Sequence, residues 1–319
     1  MKFIQQAYKG NNEWWAYLVT LIIVFFGWQF FGVIPLTIVA LQYSEDMGEF
    51  MMAANDNFTS LGIDSNLYLL LVIATFFGGL IALFMGIKYI HKRKIVTLTT
   101  SRNKIDWGRI LYAFTVWAII GLIMVYVDYY LEPQSYEWNF KPVPFFTLVL
   151  ISFLFLPIQT SMEELLFRGY LMQGFGTWFK NALVPLVLTS VIFGLLHGLN
   201  PEVEKLGWIT MVYYIGTGLL LGILTLMDEG TELALGFHAA NNIVAAVLVT
   251  TNWTVFQTEA LLIDISEPSV NWEMFVPVFI LFPLVLLIFS RKYEWTNWRE
   301  KLTGKIQKPI EFDEDKFIA

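Results

Sequence analysis

Long apolar runs separated by short polar stretches set the pattern of this chain. Eight runs fall at roughly 15–41, 67–90, 107–131, 145–171, 181–199, 207–227, 231–250 and 272–290. An apolar stretch of about 20 residues crosses a bilayer as a helix, because hydrocarbon offers the backbone no partner outside the segment itself. The pattern therefore predicts an all-α, polytopic membrane protein of about eight transmembrane helices. Trp14, Trp15, Trp107, Trp208 and Trp272 stand at run ends, where amphipathic rings anchor a helix at the interface. The first run is too long for a signal-peptide core and reads as a retained anchor.

Composition agrees. Of 319 residues 56% are hydrophobic and only 15% charged, against about 25% in an ordinary soluble domain. The net charge of -7 and the clustering of the basic residues argue against nucleic acid as a partner. The chain has no cysteine, which excludes disulfides, thiolate metal sites and a cysteine nucleophile. Basic residues gather in 91–106 and from Arg291 onward, whereas 42–66 and 251–271 have acidic residues and no Lys or Arg. The positive-inside rule then puts both termini and the 91–106 loop in the cytoplasm. His91, which opens that loop, reads as a solvated residue. Lys88, Asp106, Arg109 and Asp128 lie near run ends and read as snorkelling side chains. The residues after Lys308 read as a loosely ordered acidic tail.

Glu163, Glu164 and Arg168 do not fit this pattern, since they continue the fourth apolar run beyond Pro157. A charge at the centre of a spanning helix costs about 2.5–3.5 kcal/mol on insertion scales, so it calls for a function or a partner. Glu164 and Arg168 are four residues apart and share a helix face, whereas Glu163 points about 100° away from Glu164. The two glutamates can thus serve different roles, one paired with Arg168 and the other facing a wet cavity. Two of the three histidines also lie in apolar runs. His197 follows Phe193 by four residues, and His238 precedes Asn242 by four. Mutual partnership is the most economical way to offset the desolvation of these groups. Small residues nearby (Gly169, Gly194, Gly198, Gly236, Ala239, Ala240) would let the three helices approach. The expectation is a polar catalytic cavity among helices 4, 5 and 7. A carboxylate and an imidazole there can activate water for attack on a peptide carbonyl, while a second imidazole and an amide stabilise the oxyanion. Zinc held by histidine and glutamate ligands is the alternative, although no His-Glu-x-x-His helix is present.

At these residues the chain resembles the CAAX protease and bacteriocin-processing family, also called the Abi family (CPBP). Its three motifs, Glu-Glu-x-x-x-Arg, Phe-x-x-x-His and His-x-x-x-Asn, stand intact and in order as Glu163-Glu164 to Arg168, Phe193 to His197, and His238 to Asn242. The resemblance implies an intramembrane endopeptidase whose eukaryotic relatives trim prenylated CaaX proteins. It implies Glu163 as the water-activating base, aided by His197, and His238 and Asn242 as oxyanion stabilisers. Glu164, Arg168 and Phe193 are then supports. It implies no cofactor, or zinc on Glu163, His197 and His238. The substrate would be a membrane-bound or lipidated peptide, with membrane lipid and an envelope protein as further partners. Bacterial members are linked to bacteriocin maturation, immunity and envelope regulation, and a bacterial plasma membrane is the expected compartment.

The domain reading is an N-terminal scaffold of about three helices (1–140), a protease core (141–255), and a last helix with its tail (256–319). A catalytically silent scaffold or immunity protein of the same fold is the rival from another class. A proton-coupled transporter is disfavoured because no internal repeat is visible. One geometric demand follows. Glu163 falls towards the cytoplasmic half of its run and His197 near the outer end of the next. Either the fourth helix is long, tilted and broken, or the fifth span starts later than 181 and runs past Gly198.

Overall fold

The protein, described by a computed structural model over residues 1–254 and 257–310, is a bundle of apolar helices. The acidic tail expected after Lys308 lies almost wholly outside the described residues. Six helices are long and apolar enough to cross a bilayer: α1 (Trp14–Tyr43), α2 (Ser65–Ile90), α3 (Trp107–Leu131), α4 (Pro142–Phe179), α6 (Trp208–Asp228) and α8 (Trp272–Lys292). The other two expected spans form the shorter apolar helices α5 (Leu183–Leu199) and α7 (Glu232–Leu248). The count of eight full spans is corrected to six long helices and two short ones. At 1.5 Å per residue the short helices reach only about 25 Å, less than the roughly 30 Å hydrocarbon core. Polar chemistry shortens them. α5 tightens into a 3₁₀ turn at His197–Leu199, and α7 starts at a fully buried Glu232 held in an ion-pair network. These two helices carry the His197 and His238 motifs.

α4 is long and internally irregular, two of the features the first alternative requires. It runs 38 residues, about 57 Å, and its α-helical pattern widens to a π-helix over Leu165–Leu171. π turns inside α-helices occur often at functional sites. This one begins directly after Glu164 and contains Arg168.

Two apolar clusters flank the middle of α4. One joins α1, α2 and α4 through Tyr17, Leu83, Ile87, Met162, Phe167 and Tyr170, and takes in Phe193 of α5. The other joins α3, α6, α7 and α8 through Trp117, Leu221, Leu224, Phe237 and Phe282. A small sheet caps the end of the bundle away from 91–106. Its strands are β1 (Tyr136–Trp138), β2 (Val249–Thr250) and β3 (Leu262–Asp264), in the order β1-β3-β2.

α7 and α3 meet backbone to backbone at Gly236, where an added Cβ would stand 2.0 Å from the Ile110 carbonyl oxygen. Neither backbone can yield without shifting a helix. Gly236→Ala is expected to destabilise the bundle by about 1–3 kcal/mol, the usual cost of overpacking. Denaturant titration in mixed micelles measures it. At Gly198 the nearest atom to an added Cβ is 3.4 Å away, an ordinary contact. The close-approach reading therefore holds for Gly236, Gly194 and Gly169 but not for Gly198.

The 91–106 end departs most from expectation. His91 is 1% exposed rather than solvated. Its Nδ1–H donates to the Asn11 carbonyl (2.6 Å), and its Nε2 accepts from the Tyr170 hydroxyl (2.8 Å). Burial, followed by the charge of Arg93, pushes the imidazole down to about 4. A neutral histidine is therefore built into the fold. Its stabilising contribution is complete above the unfolded value of about 6.5 and is lost as pH falls from there towards 4, because the unfolded chain takes the proton first. Tm should therefore fall more for the wild type than for His91→Gln between pH 7.5 and 5, and parallel curves would refute this.

Arg109 is likewise more than a snorkelling end group. It pairs with Asp228 and with Asp106 (3.2 Å), while Arg102 reaches Asp228 (2.9 Å) and Glu232 (3.2 Å). This network ties the α6–α7 turn to the start of α3.

Candidate active site

The site is built on the middle of α4. Glu164 and Arg168, one turn apart, pair at 2.8 Å between Oε1 and Nη1, and both side chains are fully buried. Arg168 donates from Nη2 to the Gly218 carbonyl of α6 (3.2 Å), and its guanidinium lies 4.3 Å from the Phe193 ring centre. Arginine suits this place, because its planar cation serves a carboxylate, a carbonyl and an aromatic face together.

α7 adds His238 to this pair. Its Nδ1–H donates to the same Glu164 oxygen, Oε1, at 2.8 Å. A carboxylate paired with arginine can only accept, so the proton is on Nδ1 and Nε2 is the ring atom offered to the site. That Nε2 stands 3.9 Å from Oε2 of Glu163. The distance is too long for a direct hydrogen bond, and a water set to the side of the line joining the two atoms could bond both. Glu163 is 8% exposed, and its other oxygen, Oε1, accepts from Gln159 Nε2 at 3.2 Å. The structure thus separates the two glutamates. Glu164 is held through Oε1 by both Arg168 and His238, whereas Glu163 has a neutral amide and no cation in hydrogen-bonding range among the described residues.

His197 approaches from α5. Its Nδ1–H donates to the Phe193 carbonyl (2.8 Å), which leaves the Nε2 lone pair open. The ring stacks on Tyr214 of α6 with centroids 4.5 Å apart and planes 22° apart. Phe193 contacts both imidazoles, at 4.7 Å to His197 and 5.9 Å to His238. Among the described residues His197 makes no hydrogen bond or ion pair with either glutamate. Phe193 is therefore the ring around which Arg168, His197 and His238 are arranged. Asn242 lies one turn beyond His238 and is buried.

The donor set does not fit zinc. No three His, Asp or Glu side chains among the described residues are grouped to hold a metal ion. Glu163 and His238 supply two donors, and His197 does not join them.

Sequence reasoning missed two contributors. Gln159 precedes Glu163 by one turn, and a glutamine inside an apolar run was the available signal. Tyr214, whose hydroxyl bonds Glu202 and Asn200 (3.2 Å to the latter), had none, because an aromatic residue in a spanning helix is unremarkable.

Residues 142–244 match the protein family described as type II CAAX prenyl endopeptidase Rce1-like. A Bacillus subtilis protein, the uncharacterized YyaK, is 28% identical over 300 residues, covering 92% of this chain and 95% of the relative. No solved structure matches. The matched segment holds all three motifs and every residue of the site from Gln159 to Asn242. The chain is an integral membrane protein whose segment 142–244 is similar to the type II CAAX prenyl endopeptidases of the CAAX protease and bacteriocin-processing family.

Proposed function

We propose that the protein is an intramembrane endopeptidase that hydrolyses a lipidated or membrane-bound peptide with water activated by Glu163. The observation that carries this reading is the division of labour on α4. Glu164 is tied through Oε1 to Arg168 and His238, while the Glu163 carboxylate is uncommitted to any cation and faces His238 Nε2 across 3.9 Å. A carboxylate so placed accepts a proton from water as the hydroxide adds to the substrate carbonyl. The Asn242 NH₂, one turn beyond His238 on α7, donates to the oxyanion, and His238 joins it when a second proton on Nε2 makes it an imidazolium. Glu163 then returns the proton to the amide nitrogen as the carbon–nitrogen bond breaks. The products are one carboxylate and one ammonium group, so protons and atoms balance without a metal or a covalent intermediate. His197, with its open Nε2 lone pair, aids Glu163 by accepting a hydrogen bond from the attacking water. The basic 91–106 end faces the cytoplasm by the positive-inside rule, in a bacterial plasma membrane.

The test is cleavage of a fluorogenic S-farnesyl-cysteine peptide, and of its unlipidated counterpart, by purified protein in lipid nanodiscs. Mass spectrometry in ¹⁸O water should find one heavy oxygen in the new carboxylate. No cleavage of either peptide would favour a silent scaffold of the same fold.

A further inference from the structure

Asn242 is followed backwards through two side chains that no motif contains. Trp117 of α3 donates from Nε1 to Oδ1 of Asn241 at 3.1 Å. An indole N–H is a donor only, so the oxygen of the Asn241 amide must face α3 and its NH₂ must point the other way. The Tyr213 hydroxyl of α6 donates to the same oxygen at 3.4 Å, which reinforces this orientation. Asn241 Nδ2 then donates to Oδ1 of Asn242 at 3.2 Å. With its oxygen held by Asn241, Asn242 is left with its NH₂ as the free end. That NH₂ has no partner among the described residues.

We infer that Trp117 and Asn241 are positioning residues that set the polarity of the Asn242 amide, so that Asn242 presents an N–H donor rather than a carbonyl to the reacting group. The inference rests on the oxyanion role given to Asn242 above. An amide is nearly symmetric in shape, and a flipped Asn242 would place an acceptor against a developing negative charge. Packing alone does not prevent the flip, whereas an obligate donor two residues back along the relay does. Trp117 is suited to this task because its ring is clamped. It lies 4.2 Å from Phe237 and 5.8 Å from Phe282, and the residue is 5% exposed.

The experiment is a double-mutant cycle in kcat on the S-farnesyl peptide, with Tm measured for every variant. Trp117→Phe keeps a clamped ring and loses only the N–H. It should lower kcat about tenfold at unchanged KM, as loss of an orienting hydrogen bond does. Asn241→Asp still accepts from Trp117 but cannot donate to Asn242, and should lower kcat at least as much. Asn242→Ala should lower kcat about 10²–10³-fold. In the Asn242→Ala background, Trp117→Phe should have no further effect, because the group it orients is gone. A purely structural Trp117 would multiply with Asn242→Ala and lower Tm, and that result would overturn the relay. So would an unchanged kcat in Trp117→Phe or Asn241→Asp. Glu163→Gln serves as the control. If that variant cleaves like the wild type, the proteolytic reading falls and the relay with it. If it is inactive while Trp117→Phe is fully active, only the relay falls.

Discussion

Glu163→Gln is expected to lower the rate of peptide cleavage by about 10²–10⁴-fold, the contribution of a positioned general base, with KM and Tm little changed. Glutamine has the size of the residue it replaces and can still bond Gln159, but it cannot take a proton from water. No buried cation loses its counterion, because none lies in hydrogen-bonding range of Glu163 among the described residues. The fold should therefore survive and only the chemistry fail. The neighbouring substitution makes the contrast. Glu164→Gln removes the charge that Arg168 and His238 share, so it should lower stability as well as rate. Steady-state kinetics together with thermal unfolding separate the two glutamates. Equal stability loss in both variants would contradict the division between them.

The largest effect on folding should come from Arg168→Leu, at about 3–5 kcal/mol, the cost of breaking a buried ion pair from one side. The substitution leaves Glu164 fully buried with only His238 as a donor. It also removes the Gly218 bond and the contact with Phe193. Two atoms of the pair, Glu164 Oε2 and Arg168 Nε, are already buried without a partner among the described residues, so there is little reserve to absorb the loss. Arg168→Lys should recover only part of it, since a point charge cannot serve carboxylate, carbonyl and ring together. The double variant Glu164→Leu/Arg168→Leu should be more stable than Arg168→Leu alone, because no uncompensated charge remains. Denaturant titration in micelles measures all three. Like stabilities for the single and double variants would show that the pair does not hold α4 in place.

The pairing of Glu164 with Arg168 was legible in the sequence because it is local. Helical geometry puts residues four apart on one face whatever surrounds them. The apolar runs were equally legible, because the bilayer sets their minimum length from outside the protein. The loss of full span length in α5 and α7 was not legible. It depends on the unwinding at His197 and on Glu232 meeting Arg102 across 130 residues.

The same distinction runs through the site. Sequence by itself determined an all-α membrane protein, three polar motifs on three helices, and one glutamate tied to an arginine on its own helix. These follow from periodicity and from the cost of charge in hydrocarbon. Only the tertiary structure decided that His238 binds Glu164 and faces Glu163, and that Phe193 separates the two imidazoles. It also buried His91 neutral and let Trp117 set the direction of the Asn241 amide. Each of these is a contact between helices. The rotation and depth of one helix against another are set by side-chain packing, as at Gly236 against Ile110, and a one-dimensional pattern does not contain them.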